Sequence, residues 1–123
     1  MEPDVVNSHF DEITTKFMGK TIYMQEIGYQ TSSDCNSSVQ KQSRFICNVF
    51  HAWDQHKDIK LMMFARLNDV THDKAEELGG PYNVTNDKFI EYLRTLGIRT
   101  HDGVLKEGFS ELRDHTNIRG WGI

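Results

Sequence analysis

Glu26 is the residue whose position in the sequence most strongly suggests chemistry. It ends a short, apolar and β-prone segment that starts at Ile22, and Gly28 and a polar loop follow it. In parallel α/β folds, side chains at the carboxyl end of a strand face the ligand side of the sheet. A carboxylate there can act as a nucleophile or a general base. The alternative is a structural Glu that pairs with a neighbouring Arg or Lys.

Two further residues are candidates for contact with a ligand. Tyr29 lies in the loop beyond Glu26, where its ring could stack on a ligand or its hydroxyl could donate a hydrogen bond. Packing in the core is the alternative for this ring. Asp69 follows a second apolar segment, so it is expected at the same edge of a parallel sheet as Glu26.

Metal and cofactor chemistry find no support in the sequence motifs. His51 and His56 are five residues apart rather than the four of a helical metal pair, and no HExxH motif or Cys/His ligand cluster is recognised. We therefore predict no metal site and no cofactor, with the histidines as surface or capping residues. Cys35 and Cys47 are expected to be free or buried thiols.

The hydrophobic pattern predicts the elements that would position these residues. Apolar residues recur every three or four positions over residues 4–18, which predicts a helix that ends at Gly19. A buried strand then ends near Glu26. Ser37 or Ser38 is expected to cap a helix that runs to about Gln55, with Gln40 completing a capping box after Ser37. Trp53 lies on the apolar side of that helix and is predicted to be in the core.

The second half of the chain is predicted to contain one strand and several helices. Residues 59–67 read as a second buried strand, and 72–78 as a short helix that ends before Gly79-Gly80-Pro81. Thr85 or Asn86 is expected to cap a helix ended by Gly97. A turn at Asp102-Gly103 and a last short helix follow.

Two strands that alternate with helices predict an α/β fold with a parallel sheet. Two parallel strands cannot close a barrel and leave unpaired backbone edges, so the 123 residues are expected to be one partial domain. The net charge is −4, with acidic and basic residues interspersed, which argues against nucleic-acid binding. No apolar run suits a membrane span, and the acidic N-terminal residues do not resemble a signal peptide. Localisation stays open.

The segment Ile22-Tyr-Met-Gln-Glu-Ile-Gly-Tyr29 resembles the seventh strand of (β/α)8-barrel retaining glycoside hydrolases, the clan-A-like glycosidases. The similarity continues in the Ser-rich start of the next helix. It also includes an eighth-strand-like segment that ends in Asn68-Asp69, and the segments Thr95-Leu-Gly-Ile-Arg99 and Asp102-Gly103 with Lys106 and Phe109 beyond. Together these segments cover residues 20–115.

The resemblance implies that the chain holds the last two βα units of a TIM barrel, with Glu26 as the catalytic nucleophile. It implies that Tyr29 and Asp69 lie near a carbohydrate substrate, and that the acid/base carboxylate belongs to a fourth strand outside this chain. The chain by itself is then expected to be nearly inactive. The parent family is often secreted.

Two other hypotheses remain open from the sequence. The chain could be a non-catalytic α/β module that binds carbohydrate or protein, or copies of it could associate through exposed strand edges. In each case the strands are expected to expose part of their apolar side chains, namely Ile22, Met24, Leu61 and Met63.

Overall fold

The computed structural model describes residues 1–84 and 86–122. Within this part of the chain, five α-helices and two strands form a mixed α/β fold, which confirms the predicted fold class at that level. In chain order the elements are α1 (Val6–Lys16), β1 (Ile22–Ile27), α2 (Val39–Gln55), β2 (Ile59–Phe64), α3 (His72–Gly79), α4 (Asp87–Arg94) and α5 (Glu107–Ile118). Short 3-10 turns cover Pro3–Val5, Ser33–Cys35 and Gly80–Tyr82.

The two strands pair in parallel, as the βαβ pattern predicted. Their register slips near the carboxyl end: between the pairs Met24–Met62 and Ile27–Phe64, β1 has two intervening residues and β2 has one. The extra residue is a β-bulge, which interrupts the strict alternation of side chains between the two faces. β2 ends at Phe64, earlier than the predicted end at Leu67, and Ala65 donates its N–H to the Ile27 carbonyl.

One face of the sheet packs against three helices. Apolar side chains of both strands join a single core with those of α1, α2 and α5. Its main members are Val6, Phe10, Ile27, Phe45, Ile46, Val49, Phe50 and Ile59, with Met24, Met62, Phe64, Phe109 and Leu112 packed against them. Trp53, predicted in the core, is partly buried against this cluster, and its indole N–H donates to the Ile59 carbonyl at 2.7 Å.

These three helices run parallel to one another. The contacts between the first and second helices advance in the same direction along both, as do those between the second and the last. The pairs are Glu2–Lys41, Asp4–Arg44 and Asp11–His56, and then Gln40–Glu107, Ser43–Glu111 and Asp54–Arg119. Parallel helices on one side of parallel strands are the arrangement that successive βα units produce.

The opposite face of the sheet is open. Tyr23 is 63% exposed, Leu61 40% and Met63 55%. The expectation that Leu61 and Met63 would be exposed is confirmed, whereas Ile22 and Met24 point to the helices and are only partly exposed. Parallel sheets normally have both faces covered, so an open face with apolar side chains is unusual.

The start of α2 shows which serine acts as the cap. Ser38 is the N-cap and its hydroxyl accepts the Lys41 N–H, while the Ser37 hydroxyl donates to the Gln30 carbonyl. The predicted capping box from Ser37 to Gln40 was therefore wrong, since the Gln40 side chain instead donates to Glu107 on α5.

Helices α3 and α4, which follow β2 and precede α5 in the chain, form a second, smaller core. Ala75, Ile90, Leu93 and Leu96 are buried there.

Asn86 caps α4 by accepting the Lys88 N–H, and the other predicted cap, Thr85, lies outside the described residues. The helix ends at Arg94, before the predicted end at Gly97. The last helix spans 12 residues and is longer than the short helix predicted.

Candidate functional site

Glu26 lies at the carboxyl end of β1 and is exposed. Strict alternation would turn its side chain to the helices, together with Ile22 and Met24. The bulge instead leaves both Gln25 and Glu26 exposed and returns Ile27 to the core. Within residues 1–84 and 86–122, no hydrogen bond or ion pair of the Glu26 side chain is formed, so the structural alternative of an Arg or Lys partner is not realised there.

A cleft of about 220 Å³ separates Glu26 from the first helix. Its walls are mainly apolar, contributed by Phe10 and Ile13 of α1 and by Ile27 and Phe45. His9 adds an imidazole to the same cleft. A carboxylate that borders an apolar groove can meet a ligand there without first breaking an ion pair.

Tyr29 lies in the core rather than in an open site. The side chain is 7% exposed, and its ring centroid lies 5.0 Å from that of Phe45. Its hydroxyl donates to the Met1 carbonyl at 2.6 Å, which fixes the N-terminus above the sheet. Burial raises the pKa of this phenol, and Glu2 adds to the increase. Of the two roles expected for Tyr29, these contacts support the packing role.

Asp69 forms a buried ion pair with Lys106. Lys106 Nζ lies 2.7 Å from Asp69 Oδ1, and the two side chains are 6% and 10% exposed. The same carboxylate oxygen accepts the Gly97 N–H at 2.9 Å. Burial lowers the pKa of Lys106, while the hydrogen bond and the charge of Asp69 oppose that effect. These contacts give Asp69 a structural role, and its contact with a substrate stays a prediction.

Lys106 also holds two loops together beyond the ends of the strands. Its ammonium donates to the Thr31 hydroxyl and to the Gly97 carbonyl, both at 2.9 Å. Gln42 is 1% exposed and donates to the carbonyls of Gly97 and Tyr29 at 2.9 Å and 2.8 Å. The loops after β1 and after α4 are therefore fixed by buried polar side chains from α2 and from the residue that precedes α5.

Arg66 stands directly after β2 in the same region. One of its terminal guanidinium nitrogens, Nη1, is buried without a hydrogen-bond partner among the described residues. The peptide bond between Ala65 and Arg66 is cis. No sequence pattern singled out Arg66, whereas Lys106 entered the sequence analysis only as part of the family resemblance.

A second cluster of reactive side chains lies on the outer surface, between α2 and α5. Cys47, His51 and His115 approach one another there, beside Glu111. The prediction of no Cys/His ligand cluster was wrong, since these three side chains lie close together. It rested on the spacing of His51 and His56. The signal was the four-residue spacing of Cys47 to His51 and of Glu111 to His115 on two helices.

Comparison of the sequence with protein-family models and with curated proteins, and of the fold with solved structures, gives no match. In the described part of the chain, no helix has both the length and the apolar character required to cross a bilayer.

Proposed function

We propose that this chain provides the last two βα units of a (β/α)-barrel glycosidase, in which Glu26 is the nucleophile of a retaining O-glycosyl hydrolase. The observation that carries the proposal is the position of Glu26, which is exposed at the carboxyl end of a parallel strand in a sheet that packs on α1, α2 and α5 with one face. In barrels of this kind the catalytic groups project from that end of the strands.

The layering of the elements supports the barrel part of the proposal. A barrel has its helices outside and its strands inside, so one sheet face packs on helices and the other faces the barrel interior. Tyr23, Leu61 and Met63 occupy the second face and are exposed here. In the proposal these side chains meet strands that lie outside the 123 residues.

The bulge in β1 supports the assignment of the nucleophile. Bulges are enriched next to active sites, where they redirect a side chain. The bulge leaves Glu26 exposed at the carboxyl end of β1.

The chemistry follows from two carboxyl groups about 5–5.5 Å apart. A Glu26 carboxylate oxygen attacks the anomeric carbon and forms a glycosyl ester while the bond to the leaving oxygen breaks. A carboxylic acid from another strand gives its proton to that oxygen. The resulting carboxylate then takes a proton from water, which attacks the anomeric carbon, releases Glu26 and yields the sugar with retained configuration. Asp69 and Lys106 fix the loops that border this site.

Mass spectrometry after incubation with a panel of 2-deoxy-2-fluoro glycosides tests the proposal. With 2,4-dinitrophenolate as the leaving group no acid catalyst is required, so we expect one slowly formed glycosyl adduct on the peptide that contains Glu26, absent in the Glu26→Gln variant. Glu12→Gln, which changes an exposed carboxylate on α1, is the matched control and should keep the adduct. If a folded chain gives no adduct with any sugar of the panel, the nucleophile assignment is contradicted.

A second candidate function rests on the open sheet face. The exposed Tyr23, Leu61 and Met63, together with the unpaired strand edges, suit a non-catalytic module that binds another copy of the chain. This alternative needs no reactivity at Glu26. It requires that the mass in solution exceed that of a monomer.

A further inference from the structure

The facing surfaces of α2 and α5 carry two pairs of potential metal ligands. Cys47 and His51 are one helical turn apart on α2, and Glu111 and His115 are one turn apart on α5. Residues four apart on a helix project from the same side. Because the two helices run parallel and in contact, Cys47, His51 and His115 meet at one place on the outer surface, with Glu111 beside His115.

The distances between the ligand atoms are close to those of a tetrahedral metal site. One ligand atom from each of Cys47, His51 and His115 lies within 4.8 Å of the other two, and Cys47 Sγ is 3.9 Å from His51 Nδ1. Zinc bonds of about 2.3 Å to sulfur and about 2.0 Å to nitrogen place these atoms roughly 3.5 Å apart in a tetrahedron. Small rotations of the side chains reach that spacing.

Glu111 stands beside this group of three and can supply a fourth donor once its side chain rotates. Its Oε1 lies 3.0 Å from His115 Nε2, and its Oε2 accepts a hydrogen bond from the Ser43 hydroxyl at 3.4 Å. Burial raises the pKa of the Cys47 thiol, and the neighbouring Glu111 carboxylate adds to the increase.

We propose that Cys47, His51, Glu111 and His115 bind a divalent cation of the zinc class, which ties α2 to α5. The set of one thiolate, two imidazoles and one carboxylate suits zinc, and it excludes the all-oxygen preference of Mg²⁺ and Ca²⁺. His115 is buried against Phe50, with ring centroids 4.8 Å apart, so one ligand is already fixed. His51 is exposed and leaves a path for the ion to enter.

The proposed metal site lies apart from Glu26, the proposed nucleophile. Cys47 and His51 lie on the side of α2 that faces α5, whereas Glu26 borders the cleft against α1. The cation stabilises the packing of α5 and takes no part in glycoside chemistry.

Titration of the reduced chain, free of any polyhistidine tag, with Co²⁺ tests the inference. We expect visible d–d bands of a tetrahedral site and a thiolate charge-transfer band in the near ultraviolet, both saturating at one equivalent and lost on addition of Zn²⁺. Zn²⁺ should also raise the melting temperature, and EDTA should reverse the increase.

Two variants and two matched controls locate the ligands. Cys47→Ser should abolish the charge-transfer band, and His51→Gln should weaken binding by at least about tenfold. Cys35→Ser and His9→Gln change the other thiol and an exposed imidazole on α1, and should leave the titration unchanged. Circular dichroism confirms that each variant is folded. The inference is overturned if folded wild-type chain shows no tetrahedral Co²⁺ spectrum, or if Cys47→Ser and His51→Gln bind as the wild type does.

Discussion

Lys106 and Asp69 form an ion pair that is almost completely removed from solvent, with 2.7 Å between Nζ and Oδ1. Lys106 stands just before α5, and Asp69 stands five residues after the end of β2. The pair joins the last helix to the loops beyond the carboxyl ends of both strands. A buried pair of this kind makes each partner costly to remove alone.

Lys106→Met is expected to destabilise the chain by about 3–5 kcal/mol, because Asp69 is left as a buried charge without its partner. Urea denaturation followed by circular dichroism measures the loss. The double variant Lys106→Met/Asp69→Leu should recover part of it, since neither charge then remains. Lys74→Met is the control, because Lys74 and Glu77 form an exposed pair on α3. Equal effects of the two single lysine variants would contradict the role given to Lys106.

Gly97→Ala is expected to be strongly destabilising for a steric reason. A Cβ at this position would lie 2.1 Å from the Asp69 nitrogen and 2.2 Å from the Asn68 carbonyl carbon. Both contacts are with backbone, so the Asp69 loop would have to move and the Gly97 N–H bond to Asp69 would break. Thermal melting should show a decrease of several degrees or more.

Gly80→Ala is the matched control for that substitution. No atom lies within 4 Å of a Cβ built there, and the residue has the right-handed helical conformation with φ −51°. Its melting temperature should stay within about 2 °C of the wild type or rise slightly, because alanine restricts the unfolded chain. A smaller decrease for Gly97→Ala than for Gly80→Ala would show that the close approach is wrong.

The sequence predicted the elements well because each has a strong local signal. The periodicity of α1 and α2 and the apolar segments of β1 and β2 mark the helices and strands with small errors at their ends. The bulge at Glu26 could not be predicted in this way, because it depends on the pairing of two strands. The register slip appears only when Ile27 is placed opposite Phe64.

The buried polar contacts beyond the ends of the strands depend on residues that are far apart in the sequence. Lys106 contacts Thr31 and Asp69, which precede it by 75 and 37 positions. No local pattern marks a lysine as buried, since lysine is almost always exposed. The ligand cluster between α2 and α5 was predictable in principle from the two four-residue spacings, but only the packing of the helices brings the pairs together.

The pH dependence of stability should include a contribution from Glu91. The hydrogen bonds from Arg94 hold the pKa of this carboxyl below its ordinary value of 4.5. The positive charge of Arg94 and the hydrogen bond from the Ser32 hydroxyl lower this pKa further, while burial opposes the decrease. A lowered folded-state pKa stabilises the fold above the ordinary pKa, and the contribution disappears as pH falls through the folded value.

Glu91→Gln should therefore flatten the acid limb of a plot of unfolding midpoint against pH. The variant is expected to be less stable than the wild type near pH 7 and to approach it at a pH below the folded pKa of Glu91. Glu77→Gln, at an exposed ion pair, is the control. A wild type and a Glu91→Gln variant whose curves differ by the same amount at every pH would contradict this assignment.

Association through the open sheet face should respond to a charge placed at its centre. Met63→Lys puts an ammonium on this face, where it opposes apolar contact and strand pairing. Light scattering coupled to size exclusion should show a mass above that of a monomer for the wild type and a decrease for the variant. Val104→Lys, at an exposed apolar residue in the loop before α5, should not change the mass. A monomeric wild type at micromolar concentration would exclude self-association.

Arg119 is expected to limit the affinity of the proposed metal site. Its Nη1 lies 3.0 Å from His115 Nδ1, and a guanidinium can only donate, so the imidazole carries its proton on Nε2 and donates it to Glu111. A metal on Nε2 would leave the proton on Nδ1, facing the Arg119 donor. Arg119 must then give up this contact, while its bonds to Asp54 and to the His115 carbonyl remain.

Arg119→Gln should consequently tighten Co²⁺ binding, because the amide oxygen can accept the Nδ1 proton and fix the ring in the metal-binding tautomer. Isothermal titration at constant pH measures the change, with Arg113→Gln as the control at an exposed arginine on the same helix. The variant also loses the contact of the guanidinium with the Phe50 ring, so its melting temperature without metal should fall. If the variant binds Co²⁺ more tightly although it is less stable, the increase in affinity comes from the tautomer of His115 and not from a more rigid protein. Weaker binding by a folded Arg119→Gln chain would instead show that Arg119 supports the ligands.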